Sequence, residues 1–350
     1  MRVAISLLTL VPGISGGSET YARELVRALG RVGRHEYRVF LPSIAQDVDG
    51  VPGEVVPEYR ASRTTTGRLR AMGRATLRPS AIRRRFAGLD AIHFPLSVMI
   101  PRMARPPAVA SVLDLQHEEL PEFFSRAERA YRKVVYGWTV DTSRLVITIS
   151  EHAAGVLVER LGVAAEKVRP IHLGIDHERF GPGPEERERF LLYPAIGWPH
   201  KNHALLFEAF ALVRQRQPGL ELVLTGYEGP APEGVRVLGR VPADELARLY
   251  RTAAALVFPS LYEGFGQPPL EAMACGCPVA ASNVTSLPEV LGDAARLFNP
   301  HSAEAIAVAV EDVLDHPEEW RRRGLARAAS FTWEATAKAH DDVYAELEAA

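Results

Sequence analysis

The chain has 350 residues, 47% of them hydrophobic and 24% charged, with a formal net charge of −2 at pH 7. That length asks for two hydrophobic cores rather than one, and the balance of residue types excludes both a disordered chain and a membrane-embedded one. A total charge so near zero also argues against nucleic acid as the partner, because phosphate backbones are held chiefly by positive charge.

The first apolar run, RVAISLL (2–8), stops at Pro12-Gly13 without a cleavage site of small residues. It reads as a buried strand entering a loop, not as an export signal or a membrane span. Further short runs follow at YRVFLP (37–42), AIHF (91–94), AVASVLD (108–114) and RLVITIS (144–150), with amphipathic stretches between them. Continuous apolar strands are buried on both faces, and strand–helix alternation produces a parallel sheet with right-handed crossovers. After VRPIHLGIDHERFGPGPEERERF, whose Gly, Pro and charge clusters suit a linker, the series restarts: FLLYPAI (190–196), LELVLTG (220–226), VRVLG (235–239), AALVFPS (254–260), PVAAS (278–282) and ARLF (295–298). The expected fold is α/β, two Rossmann-like doubly wound parallel-sheet domains with a cleft between them. A last helix, TWEATAKAHDDVYAELEA (332–349), has no strand after it and could pack on either domain.

Ligands of open parallel sheets lie beyond the carboxyl ends of the strands, so the motifs there carry the functional reading. PGISGG follows the first strand; Gly16 and Gly17 let backbone approach a ligand, and Ser18 is placed to cap the next helix. DLQHEELPEFFS (114–125) puts Asp114 and His117 at the end of another strand, whereas His93 in HFP is expected to pack in the sheet. GWPHKNH (197–203) offers Lys201 at a helix start, which suits a diphosphate because an ammonium and backbone amides both stabilise a leaving oxyanion. His200 and His203 flank it without a third metal ligand.

PSLYEGFGQPPLEAMACGCPV (259–279) holds Glu263 and Glu271 eight positions apart. Gly264 and Gly266 permit a tight turn around Phe265, and Pro268-Pro269 suits a helix's first turn. A carboxylate accepts hydrogen bonds from vicinal hydroxyls, so the pair can hold two polyol groups of one ligand, with amides between them for phosphate. The alternatives are an acid–base pair of a glycosidase and, for Glu271 alone, service to the helix dipole. Cys275 and Cys277, the only cysteines, are too close for an unstrained disulfide and read as buried core residues of a reducing compartment. DVD (47–49) resembles a metal-binding D-x-D but lacks a neighbouring nucleotide pattern, so no metal site is expected. From Arg60 to Arg85 there are nine arginines and no acidic residue, interleaved with Leu69, Met72, Leu77, Ile82 and Phe86 and interrupted by Pro79. An exposed basic face is the plain reading; peripheral contact with an anionic membrane, at about 1 kcal/mol per cation, is the functional one.

At YEGFGQPPLEAMACGCPVAASNVTSLPEV the chain resembles the family 4 retaining glycosyltransferases of the GT-B fold. The likeness extends from the glycine loop through DLQHEELPEFFS and HKNH to FTWEATA. It implies that the E-x(7)-E pair belongs to a nucleotide-sugar site, with Glu263 on the donor hexose, Glu271 on the ribose, and the backbone of Gly264, Phe265 and Gly266 at sugar or phosphate. Lys201 would meet the diphosphate, Gly16 and Gly17 would lie beside the donor, Arg240 and Val241 would border the base, and Asp114 and His117 would join Lys201 and Glu263 at the reacting centre. Residues 1–178 with 331–350 would form the acceptor-side domain and 179–330 the donor domain.

In two places the chain departs from the family pattern. Leu113 stands where a His often precedes the Asp, and Ala195 stands about where an Arg is common, which leaves open whether His200 replaces that cation. The implied reaction is hexosyl transfer with retention, without metal or cofactor, the nucleotide sugar being a substrate; an ion-pair and a covalent route both fit. A mannosyltransferase using GDP-mannose, acting in the cytoplasm or at the inner membrane face on a glycan or lipid-linked acceptor of cell-envelope polysaccharide or glycolipid, is the leading expectation. A UDP-sugar transferase, a nucleotide-sugar epimerase or hydrolase, and a non-catalytic sugar-nucleotide-binding subunit are the alternatives.

Overall fold

The computed structural model describes residues 1–14, 16–45, 47–183 and 186–348, so Ser15 of the glycine loop, Pro184 and Glu185 of the linker and Ala349 of the last expected helix lie outside it. The chain divides into two compact units, Met1–Gly174 with Trp333–Ala350, and Ile175–Thr332.

The first unit's strands are β1 (Arg2–Ser6), β2 (Glu36–Leu41), β3 (Gly53–Val55), β4 (Ala91–Phe94), β5 (Ala108–Ser111), β6 (Leu145–Thr148) and β7 (Val168–Pro170). They form one parallel sheet in the order β3-β2-β1-β4-β5-β6-β7. Its helices are α1 (Gly17–Val32), α2 (Thr65–Leu77), α3 (Ser80–Arg85), α4 (Gln116–Glu119), α5 (Arg126–Thr142) and α6 (Glu151–Leu161). Every residue of β4, β5 and β6 is buried, as strands covered on both faces require. The short outer strands β3 and β7 escaped the sequence reading because they are partly exposed and lack a continuous apolar run. The run 108–114 overshoots β5 because Val112 and Leu113 stay buried after pairing ends.

The second unit contains β8 (Glu188–Pro194), β9 (Glu221–Thr225), β10 (Val235–Val237), β11 (Ala253–Phe258), β12 (Val279–Ser282) and β13 (Arg296–Phe298). Its parallel order, β10-β9-β8-β11-β12-β13, repeats the winding of the first sheet. The helices here are α7 (His203–Arg216), α8 (Ala243–Thr252), α9 (Gln267–Ala274), α10 (Leu287–Leu291), α11 (Ala303–Asp315) and α12 (Pro317–Ala328). In each sheet the strand order reverses direction once, between β1 and β4 and between β8 and β11, and such switch points open a crevice at the carboxyl ends.

The last helix, α13 (Trp333–Glu348), belongs to the first unit. A buried chain of hydrogen bonds ties it to the sheet, and one carbonyl sets its direction. His340 Nδ1 lies 2.7 Å from Thr336 O, which can only accept, so Nδ1 carries the proton and Nε2 accepts from the Tyr21 hydroxyl at 2.8 Å. Tyr21 Oη then accepts from Ser111 at 2.7 Å, Ser111 Oγ accepts from His93 Nε2 at 2.7 Å, and His93 Nδ1 accepts from Tyr344 at 2.8 Å. Every member is satisfied with both imidazoles neutral. Burial enforces this, pushing His340 down to about 4 and His93 well below its usual value.

Candidate active site

The loops leaving β8 and β11 are neighbours because those strands pair across the switch point. After β8 the chain makes a single helical turn, Pro199–Lys201, and Asn202 turns it out again at φ 59°, a left-handed conformation that Asn tolerates. Asn202 Nδ2 donates to Pro259 O at 3.1 Å and to Pro300 O at 2.8 Å, and the Tyr193 hydroxyl donates to Lys201 O at 2.7 Å. On the other loop, Glu263 N donates to Thr285 Oγ1 at 3.1 Å, while Ser286 Oγ lies 2.9 Å from Glu263 O and 3.0 Å from Phe265 O. With both backbones held, Lys201 Nζ meets Glu263 Oε1 at 2.5 Å, their side chains only 15% and 12% exposed. The ammonium also lies 5.6 Å from the centre of the Phe258 ring.

Gly266 turns the loop into α9 at φ +105°, and a Cβ there would come within 2.6 Å of Leu287 Cδ2. Only glycine fits. Pro268 and Pro269 occupy the first turn of α9 and have no N–H, so backbone donors for an anion at this end are confined to Gln267 and the loop before it. Glu271 follows one turn into α9. Burial pushes its carboxyl up to about 8, although the Tyr250 hydroxyl, 3.3 Å from Oε2, and the Arg179 charge pull the other way. At neutral pH this group is a carboxylic acid that can both donate and accept hydrogen bonds. Arg240 is exposed and Val241 half-buried in the loop between β10 and α8.

The histidines beside Lys201 are interior. His200 is buried, and His203 stacks on Tyr227 with ring centres 4.4 Å apart; burial pushes His203 down to about 4.

In the first unit Gly16 precedes α1 at φ 52°, and the space where a Cβ of Gly16 or Gly17 would stand is open. Ser18 is not the cap expected from the sequence: α1 begins at Gly17, Gly16 holds the cap position, and no side chain caps it. Glu19 Oε2 instead accepts from Gly13 N at 2.8 Å. Asp114 is tied by Gln116 N at 2.8 Å and Arg132 at 3.0 Å. His117 turns inward, edge-on to Phe124 and Tyr136, and neither ring nitrogen has a hydrogen bond. Burial and then Arg132 lower its pKa, so it is a neutral imidazole packed against aromatics. The sequence placed Asp114 and His117 together at a strand end; in the fold Asp114 pairs with Arg132, whose charge also acts on the buried His117, and His117 Nε2 lies 3.4 Å from Glu118 Oε1.

Sequence reasoning missed Tyr193, Thr285 and Ser286, which hold the loops without being charged, and Tyr250, which bonds Glu271 on α9. The available signal was Ser286, just ahead of Leu287-Pro288 at the start of α10. Cys275 and Cys277 are buried free thiols, pushed up to about 12 and about 11 by burial. Among the described residues no three His, Cys, Asp or Glu side chains converge as a metal site.

Residues 174–329 match the family described as glycosyl transferases group 1, and residues 15–179 match glycosyltransferase family 4. The O-antigen chain mannosyltransferase B of Escherichia coli is 32% identical over 259 residues, which cover 65% of this chain and 67% of that one. A serotype-specific mannosyltransferase WbdA of Escherichia coli is 34% identical over 224 residues, or 55% of this chain, but the match spans only 27% of that longer protein. Sucrose-phosphate synthase of Thermosynechococcus elongatus superposes over 100% of this chain and 99% of its own, with a TM-score of 0.77 at 21% identity, and shares the GT-B fold. Since a 32% identical relative is matched over 67% of its length, and the two family matches together run from residue 15 to residue 329, the chain belongs to the family 4 glycosyltransferases.

Proposed function

We propose that this glycosyltransferase is retaining and metal-independent, and that it moves a hexose, mannose from GDP-mannose, onto a glycan or lipid-linked acceptor of a cell-envelope polysaccharide or glycolipid. The observation that carries the reading is the Lys201–Glu263 contact at the switch point of the second sheet. It sets a cation suited to a diphosphate beside a carboxylate suited to hydroxyls, as the diphosphate and hexose of one donor are side by side. Mannose is favoured because both Escherichia coli relatives are named mannosyltransferases.

In this reading residues 179–330 bind the donor. Glu263 accepts from hexose hydroxyls, and the neutral Glu271 carboxyl exchanges hydrogen bonds with the ribose diol. Arg240 and Val241 border the base. Lys201 neutralises charge as the diphosphate departs, with the amides of Gly264, Phe265 and Gly266 nearby; one such donor typically affects rate by ~10²–10³. Residues 1–178 with 331–350 take the acceptor, with Gly16 and Gly17 beside the donor and Asp114 and His117 toward the reacting carbon. His117, being neutral and interior, serves in this scheme through the shape of its loop. Ion-pair and covalent routes to retention both remain compatible.

We further propose peripheral contact with an anionic membrane through the Arg60–Arg85 segment. In support, α2 exposes Leu69 and Leu77 beside Arg70 and Arg74, and α5 exposes Tyr131, Val134 and Trp138. The two helices adjoin, the Tyr131 hydroxyl lying 3.4 Å from Met72 Sδ, and Arg102 lies 6.0 Å from the Trp138 ring centre. Exposed apolar side chains among cations suit the headgroup boundary. Among the described residues no helix is long and apolar enough to cross a membrane.

The test is thermal melting with GDP-mannose, UDP-glucose, GDP and UDP, followed by product analysis with lipid-linked and simple glycoside acceptors. GDP-mannose is expected to raise the melting temperature most and to give an α-configured product without added metal. No shift with any nucleotide would remove the donor site, and a shift with UDP-glucose alone would change the donor. Cosedimentation with phosphatidylglycerol vesicles, lost at high salt, tests the membrane contact.

A further inference from the structure

Lys201 and Glu263, assigned above to two parts of one ligand, are already each other's partner, at 2.5 Å and largely withdrawn from solvent. Breaking such a pair from one side leaves the other charge uncompensated, and that costs more than the intact pair contributes. A diphosphate that draws the ammonium away therefore strands the carboxylate unless the same ligand also satisfies Glu263. The hydroxyls of an attached hexose do so, and a nucleoside diphosphate without sugar has none to offer at that place. The exchange needs only side-chain movement: the Lys201 carbonyl is bound by Tyr193, and the Glu263 backbone by Thr285 and Ser286.

We infer that the Lys201–Glu263 pair is a partner exchange that couples recognition of the sugar to recognition of the diphosphate. The intact donor replaces both halves of the pair, whereas the product nucleoside diphosphate replaces one half and leaves a carboxylate unpaired. The pair thus sets the preference for donor over product and favours the product's departure. This inference rests on the donor site proposed above.

Titration calorimetry without acceptor, on the wild type and Glu263→Gln, tests it with GDP and GDP-mannose, or with the corresponding uridine pair if melting selects that base. In Glu263→Gln the diphosphate alone is expected to bind more tightly and the nucleotide sugar more weakly, so that the ratio of their affinities falls by about tenfold, equivalent to about 1.4 kcal/mol. Equal tightening of both ligands would mean that only a repulsive charge had been removed, and would overturn the exchange. Unchanged affinities would overturn it as well. A wild type that binds neither ligand refutes the donor site itself, and the exchange with it. Should Glu263→Gln fail to fold, Glu263→Asp, whose shorter carboxylate withdraws from Lys201, is expected to move the ratio in the same direction.

Discussion

The two sheets are wound in the same order, and they use the carboxyl ends of their strands in opposite ways. In the first unit, β4 and β5 place His93 and Ser111 in a chain of neutral groups that Tyr21 continues and α13 closes. In the second, the loops after β8 and β11 bring a cation and a carboxylate together, and Glu271 stands one turn into α9. A neutral, fully satisfied network strengthens a core. A partly buried ion pair pays for its desolvation and stabilises little, so its place at a crevice points to chemistry. Topology supplies a crevice in each unit, and side chains decide whether the polar groups there satisfy one another as a neutral network or meet as a charged pair.

Lys201→Ala should have the largest effect, because it removes the only charge that this reading assigns to the leaving diphosphate. Transfer is expected to fall by ~10²–10³, measured as kcat with a saturating donor, while hydrogen exchange in α13 stays as in the wild type. If turnover persists, the Lys201–Glu263 pair is structural like the Tyr21–His340 network and the contrast disappears.

Acid should act mainly on the first unit. His340 has an ordinary value of 6.5 and a folded value of about 4, His93 lies well below its ordinary value and His117 is also lowered, whereas in the second unit His203 is depressed to about 4. The unfolded chain binds these protons near pH 6.5 and the folded chain does not. The stabilisation is thus full above that pH and is lost as pH falls toward 4, at up to about 1.4 kcal/mol per pH unit for each group. Glu271 has the opposite sign. Raised from 4.5 to about 8, it contributes stability that is present below pH 4.5 and lost as pH rises through 8. Segment-resolved hydrogen exchange should show α13 loosening in acid before α9, and Glu271→Gln should stabilise α9 selectively above pH 8. Uniform loosening of both units would contradict the assignment.

Tyr21→Phe sharpens the comparison at lower cost. It leaves the Ser111 hydroxyl without its acceptor and His340 Nε2 without its donor, and is expected to cost about 2 kcal/mol, read from the urea midpoint, with donor affinity unchanged. Ser286→Ala should be the mildest, near 1 kcal/mol in stability, because it releases one hydroxyl from two carbonyls of the Glu263 loop. Its diagnostic readout is a rise in KM for the donor larger than the fall in kcat; a purely structural role would leave KM alone.

Much of the fold was legible because strands buried on both faces announce themselves as continuous apolar runs. The outer strands β3 and β7 were not, because Gly53 and Glu54 in the one and Arg169 and Pro170 in the other leave no apolar run. At the site, Lys201, Glu263 and Glu271 could be picked out as charges among turn residues after strands. Thr285, Tyr193 and Tyr250 could not, since a bracing hydroxyl looks like any other until its partner is known, and Ser286 showed only as a Ser ahead of Leu287-Pro288. Ser18 shows the converse: a good capping residue lies one position inside the helix, because Gly16 with its positive φ sets where α1 begins.

By itself the sequence determined the two series of strands and helices, the glycine that the turn before α9 requires, and the family, all of which rest on patterns a few residues long or on motif order. Only the tertiary structure decided that Lys201 meets a carboxylate 62 positions away, that His340 closes onto Tyr21 319 positions away, and that His117 is interior. Those facts depend on which strands become neighbours and what then covers them, and local patterns carry no record of either.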